Sequence, residues 1–172
     1  MYMRNIVLIG MPGAGKSTVG VLLAKTLLMD FEDTDLIIQK ETKKALCDTI
    51  NEMGTDYFIS LEEEIIKKQE FSNSVIATGG SAVYGNSAMK KLSENGTVIY
   101  LKVALPELIK RLGDIRTRGI AMDKASGIPE LFEKRSPLYE KYAHITVDCT
   151  GLTPEKCVDI IAEKLKEDIN ND

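Results

Sequence analysis

The apolar run Ile6-Val7-Leu8-Ile9 gives way to Gly10-Met11-Pro12-Gly13-Ala14-Gly15-Lys16-Ser17-Thr18, and an amphipathic pattern follows at once. No other feature limits the fold as much. The glycines let successive backbone N–H groups curl round an anion, and the positive end of the following helix reinforces that cradle. A loop of this kind needs a strand before it and a helix after it. Both patterns are present, with β-branched residues across Arg4 to Ile9 and helical spacing of Val19, Leu22, Leu23 and Leu27. The full G-x-x-x-x-G-K-[ST] spacing implies a nucleoside triphosphate site in which Lys16 reaches the β- and γ-phosphates and Ser17 ligates Mg²⁺.

The alternation started by the loop continues along the chain. Helical patterns are read over Ser17–Met29, Asp33–Glu41, Thr55–Glu70 and Ser87–Asn95, from Pro106 to Leu112, over Glu130–Tyr142 and over Pro154–Ile169. Strands are read near Phe31-Glu32 and over Val75–Thr78, Thr97–Leu101 and Ile145–Asp148. Glycine breaks at Gly10, Gly79-Gly80 and Gly96 are expected at the strand ends that face the crevice. The i,i+4 spacing of Glu63 with Lys67 and of Glu64 with Lys68 predicts ion pairs on a solvated helix face. Arg116 to Gly127 lacks periodicity and is expected as a mobile loop. Strand and helix in strict alternation demand an α/β fold with a mostly parallel sheet and helices on both faces, ligands collecting beyond the carboxyl ends of the strands.

At 172 residues, with 44% apolar and 28% charged residues, the chain is expected to form one globular domain over 1–172. The formal charge of −4 argues against nonspecific nucleic-acid binding. No apolar run approaches a bilayer span, and the N-terminus shows no signal peptide, so a cytoplasmic location and no membrane partner are expected. Cys47, Cys149 and Cys157 form no C-x-x-C and read as small apolar residues or incidental thiols. A single histidine, His144, makes no multi-histidine metal site.

Among phosphate-loop proteins, a guanine-reading Asn-Lys-x-Asp is missing, and the size suits small-molecule kinases better than mechanical ATPases. Asp33-Thr34-Asp35 closes the second strand. Two acidic residues two apart at the mouth of a phosphate site divide the work. Asp33 holds Mg²⁺, directly or through water, and Asp35 orients the attacking hydroxyl and takes its proton. Capping of the next helix accounts for the same residues on local grounds.

GMPGAGKST at 10–18, DTD at 33–35, ATGG at 77–80, RTRGI at 116–120 and KRSPLY at 134–139, in this order, resemble the shikimate kinases from Arg4 to Leu165. The resemblance implies a five-stranded parallel sheet, a lid over about 113–126 and an acceptor-binding helical region over about 34–62. It implies ATP with Mg²⁺ and a small hydroxylated acceptor, shikimate, and a monomer is expected. By the same resemblance Gly13, Ala14, Gly15, Lys16, Ser17 and Thr18 hold the phosphates, Arg111 and Pro154 hold adenine, and Arg118 meets the transferring phosphates. Asp35, Gly79, Gly80 and Arg135 bind the acceptor, Lys16, Asp35 and Arg118 are catalytic, and Ser17 and Asp33 hold the metal.

Three positions depart from the family pattern. Ile59 stands where an arginine usually grips the acceptor carboxylate, Ser81 where a third glycine is usual, and Gly119 where proline is common. A charged hydrogen bond is worth about 1.5–3 kcal/mol, so loss of that arginine weakens such an acceptor roughly 10- to 100-fold without compensation. Glu62 also loses a plausible partner. Either Arg135 and a neighbouring cation such as Arg116 hold the carboxylate differently, or the acceptor is another hydroxylated metabolite. From a different class, a nucleotide-binding regulatory module is the competing reading.

Overall fold

The central strand, β1 (Asn5–Ile9), is buried along its whole length, so both of its faces must be covered. The computed structural model, which describes residues 4–113, 120–121 and 127–171, covers it with neighbours on either edge and helices around it. Four further strands are β2 (Asp30–Asp33), β3 (Ser74–Ala77), β4 (Gly96–Lys102) and β5 (Ile145–Asp148). All pairings are parallel, in the order β2-β3-β1-β4-β5. The five-stranded parallel sheet implied by the resemblance is therefore present. From β1 the chain goes first to one side of the sheet and later to the other, which puts the topological switch at the carboxyl end of β1.

Eight α-helices flank the sheet among the described residues. They are α1 (Lys16–Leu27), α2 (Thr34–Thr42), α3 (Leu46–Met53), α4 (Thr55–Lys68), α5 (Asn86–Asn95), α6 (Leu105–Leu112), α7 (Ile128–Tyr142) and α8 (Pro154–Asn171). The apolar stripe of α1 buries Val19, Leu23 and Ala24, and the helix packs on α8 and β3. Each fully buried aliphatic side chain of this kind contributes roughly 1.5–3 kcal/mol. A second, smaller cluster of Ile38, Leu46, Phe58, Ile65 and Ala121 holds α2, α3 and α4 together beside the crevice.

Several expectations need correction. Helix α3 was not anticipated, although Leu46, Ile50 and Met53 recur at helical spacing over its eight residues. Gly96 ends α5 as expected, but it then opens β4 and so lies at the amino end of the sheet, away from the crevice. Asp33 is the last residue of β2 and the N-cap of α2, not the first helical residue. The expected pairs on α4 rearrange. Glu64 bonds to Lys67 at i,i+3, and Glu63 accepts the Ser87 N–H at the start of α5 instead of meeting Lys67. Helix α7 begins at Ile128 rather than Glu130, with Pro129 in its first turn where a missing N–H costs nothing. His144 has a backbone role: its Nδ1 accepts the Val98 N–H at 3.0 Å and its own N–H donates to Val98 O at 2.9 Å. Cys149 and Cys157 are buried and Cys47 is half-buried, as small apolar residues would be.

Candidate active site

Three loops meet at the carboxyl ends of β1, β2 and β3. The first is the glycine loop, where Gly10, Gly13 and Gly15 all take positive φ, a region that residues with a Cβ enter only at a cost. Ala14 is buried beneath it and donates its N–H to Met11 O at 3.1 Å. Lys16 is buried, and its ammonium donates to Gly10 O at 2.7 Å and Met11 O at 2.9 Å. It spans the loop that it is expected to serve. Burial lowers its pKa to about 8, while the charge of Asp35 pulls upward. A phosphate placed in the loop would add negative charge beside Lys16 and restore the cation.

The second loop carries the acidic pair. Ser17 Oγ donates to Asp33 Oδ2 at 2.6 Å, and Asp33 Oδ1 accepts the Asp35 N–H at 3.0 Å. One carboxylate thus caps α2 through Oδ1 and meets the first turn of α1 through Oδ2. A hydroxyl and a carboxylate oxygen are hard donors that suit Mg²⁺, which takes few protein ligands beside water and phosphate. Among the described residues no cluster of three or more His, Cys, Asp or Glu could cage a metal. Asp35 points into the crevice, where burial, aided by the charge of Asp33, raises its pKa to about 6.

The third loop follows β3. Gly79 donates its N–H to the buried Thr34 Oγ1 at 3.1 Å. A Cβ on Gly79 would lie 2.5 Å from Glu62 Oε1 and 2.7 Å from Asp35 Oδ1, so a side chain there would displace the two carboxyl groups that flank this glycine. Ser81 Oγ donates to Glu62 Oε2 at 2.5 Å. Glu62 is buried, its Oε1 has no hydrogen-bond partner among the described residues, and burial raises its pKa to about 7. Across from it, Arg135 on α7 is buried. Its Nη2 donates to Ala121 O at 2.5 Å, its Nε to Tyr84 Oη at 3.4 Å, and its guanidinium lies over the Tyr84 ring at 5.3 Å. Tyr139 donates to Gly80 O at 2.7 Å.

A cavity of about 580 Å³ is lined by Arg111, Gly13, Gly15 and Thr18 together with Asp35, Phe58, Ser81 and Arg135. Of the residues singled out from sequence, Gly13, Gly15, Lys16, Ser17, Thr18, Asp35, Gly79, Gly80, Arg111 and Arg135 lie on its wall. Asp33 stands behind Ser17. Pro154 is half-buried at the start of α8 and off the wall, and Ile59 is half-buried on α4, with its neighbour Phe58 on the wall instead. Arg116, Arg118 and Gly119 lie outside the described residues, as does most of 113–126. Thr34, Tyr84 and Tyr139 also support the site, and sequence reasoning gave them no role. Thr34 sits inside the acidic motif and Tyr139 inside KRSPLY, so both were within sight. Among the described residues no helix is long and apolar enough to cross a membrane.

The family model described as "Shikimate kinase" matches residues 12–166. The shikimate kinase of Thermodesulfovibrio yellowstonii is 39% identical over 166 residues, 95% of this chain and 93% of that protein. Among solved structures, a shikimate kinase from Acinetobacter baumannii in complex with shikimate superposes with a TM-score of 0.86 at 27% identity, covering 98% of this chain and 94% of the other. The shikimate kinase of Aquifex aeolicus superposes with a TM-score of 0.80 at 31% identity, covering 96% and 98%.

Proposed function

The chain belongs to the shikimate kinase family, and from that membership we propose that it transfers the γ-phosphoryl group of ATP to a hydroxyl of shikimate, giving shikimate 3-phosphate and ADP. The observation that carries this reading is that one cavity is lined by the phosphate cradle with Lys16 and also by a carboxylate and a guanidinium, Asp35 and Arg135.

The chemistry is mainly positioning and charge stabilisation. The loop N–H groups and Lys16 hold the triphosphate tail. Asp35 accepts a hydrogen bond from the acceptor hydroxyl, aims its oxygen at the γ-phosphorus and takes the proton as the new O–P bond forms and the bond to ADP breaks. Its raised pKa brings it close to neutral and suits that exchange. Mg²⁺, held by Ser17 and Asp33, would neutralise charge on the phosphates. Arg118 is assigned to the transferring phosphates from the RTRGI motif, and Arg111 with Pro154 to the adenine. Arg135 donates paired hydrogen bonds to the acceptor carboxylate, with Gly79 and Gly80 leaving room for its ring. One chain supplies both ends of the cavity, so we take the monomer as the working unit, acting in the cytoplasm where ATP is available.

A second reading, a different hydroxylated acceptor, is favoured by one observation. Ile59 does not line the cavity, and the Ser81 hydroxyl is taken up by Glu62, so Arg135 is the guanidinium that the described wall offers at the acceptor end. A coupled ADP-release screen over hydroxylated acids, sugars and amino acids separates the readings. Shikimate accelerating ADP release most supports the first, and a better acceptor supports the second. No acceleration by any acceptor would leave a nucleotide-binding module.

A further inference from the structure

At the nucleotide end of the cavity one carboxylate joins three separate segments of the chain. Glu107, in the first turn of α6, accepts a hydrogen bond from Arg111 Nη2 through Oε1 and from the Gly151 N–H through Oε2, the latter at 2.7 Å. Arg111 in turn donates through Nη1 to Gly13 O at 3.2 Å, inside the glycine loop. Gly151, at φ 70°, lies in the turn after β5 that leads to Pro154 and α8. The backbone of that turn is held further by Ala104 N–H on Thr150 Oγ1 at 2.9 Å. An acidic residue in a first helical turn and an i,i+4 pair are common surface features. Neither accounts for the second bond. Oε2 reaches across 44 residues to a backbone N–H in a tight turn, so both carboxylate oxygens are committed to parts that border the nucleotide.

We infer that Glu107 is a positioning residue for the nucleotide base, fixing the Arg111 guanidinium relative to the turn that carries Pro154. The inference rests on the assignment of Arg111 and Pro154 to adenine. A guanidinium plane stacks on a flat ring only when its orientation is set, and a free arginine side chain loses much rotamer freedom on reaching it. Glu107 sets that orientation before the nucleotide arrives. Through Gly151 it also holds the opposite side of the base site in register with Arg111. The triphosphate tail depends on this bridge far less than the base does, because the loop amides and Lys16 face the tail directly and α6 reaches the loop only through its contacts at Gly13.

The test compares ATP with inorganic tripolyphosphate, which has the tail and no base, by titration calorimetry on the full chain. Glu107→Ala is expected to weaken ATP binding about tenfold while leaving tripolyphosphate within about twofold. In an Arg111→Ala background the same change is expected to add little, because the two residues act as one unit. Should Glu107→Ala not fold, Glu107→Gln carries the same comparison, since it keeps an oxygen for the Gly151 N–H and loses the charge on Arg111. Equal weakening of ATP and tripolyphosphate overturns the proposal, as does an unchanged ATP affinity in a chain where Arg111→Ala does weaken ATP. If Arg111→Ala itself leaves ATP untouched, the assignment of Arg111 to the base falls first, and the role of Glu107 with it.

Discussion

Ser81 Oγ lies 2.5 Å from Glu62 Oε2, joining the turn after β3 to the middle of α4 in a wall where both residues are buried. That hydroxyl is the only hydrogen-bond donor found for the Glu62 carboxyl among the described residues, and Oε1 has none. Burial raises the Glu62 pKa to about 7, so the folded chain holds a proton there that the unfolded chain releases near 4.5. An acid with a raised folded pKa contributes stability that is full below the unfolded value and is lost as pH climbs through the folded one. Stability is therefore expected to fall between about pH 4.5 and pH 7, by on the order of 3 kcal/mol from this group. Glu62→Gln is expected to flatten that slope in urea unfolding at several pH values. An unchanged slope would show that Glu62 is ionised in the folded chain.

Lys16 shifts the other way. Its burial brings the ammonium to about 8, so the free protein loses this cation as pH rises through that value, well before an exposed lysine would. The expected result is a fall in kcat/KM for ATP above about pH 8, with kcat at saturating nucleotide holding to higher pH because bound phosphates restore the charge. A kcat/KM profile flat to pH 10 would contradict the account of the buried lysine.

Ile59 and Glu62 are three apart on α4 and so are neighbours on one face of that helix. An arginine at 59 would give the Glu62 carboxyl a cation and the acceptor end a second guanidinium. Ile59→Arg is expected to lower KM for shikimate about tenfold with kcat little changed, the value of one charge-assisted hydrogen bond. A KM that stays level or rises would mean that the acceptor carboxylate is not bound near this face.

The phosphate loop could be read directly because its chemistry is local. Glycines at 10, 13 and 15 mark backbone conformations that hardly depend on the rest of the fold, and the buried runs of β1 and β4 carry their own apolar signal. Gly96 was misplaced for the converse reason: a glycine marks the end of a helix and the start of a strand equally well. Helix α3 was legible in the spacing of Leu46, Ile50 and Met53, but its eight residues are too short a window for that period to stand out. The acceptor wall was harder to read. Ser81 and Glu62 are 19 residues apart, and Tyr139 and Gly80 are 59 apart, so only the sheet order brings them together. Motif order supplied most of the site residues, but the partners that hold those residues in place are tertiary and leave no mark on local spacing.

The central claim is that the phosphoryl group leaves ATP for a hydroxyl of shikimate rather than for water. ³¹P NMR of the chain with equimolar ATP, Mg²⁺ and shikimate tests this most directly. The account predicts a phosphomonoester signal that grows in step with ADP, one for one, and that is lost together with ADP formation in Lys16→Ala. Inorganic phosphate appearing in its place, or ADP forming at the same rate without shikimate, would contradict it.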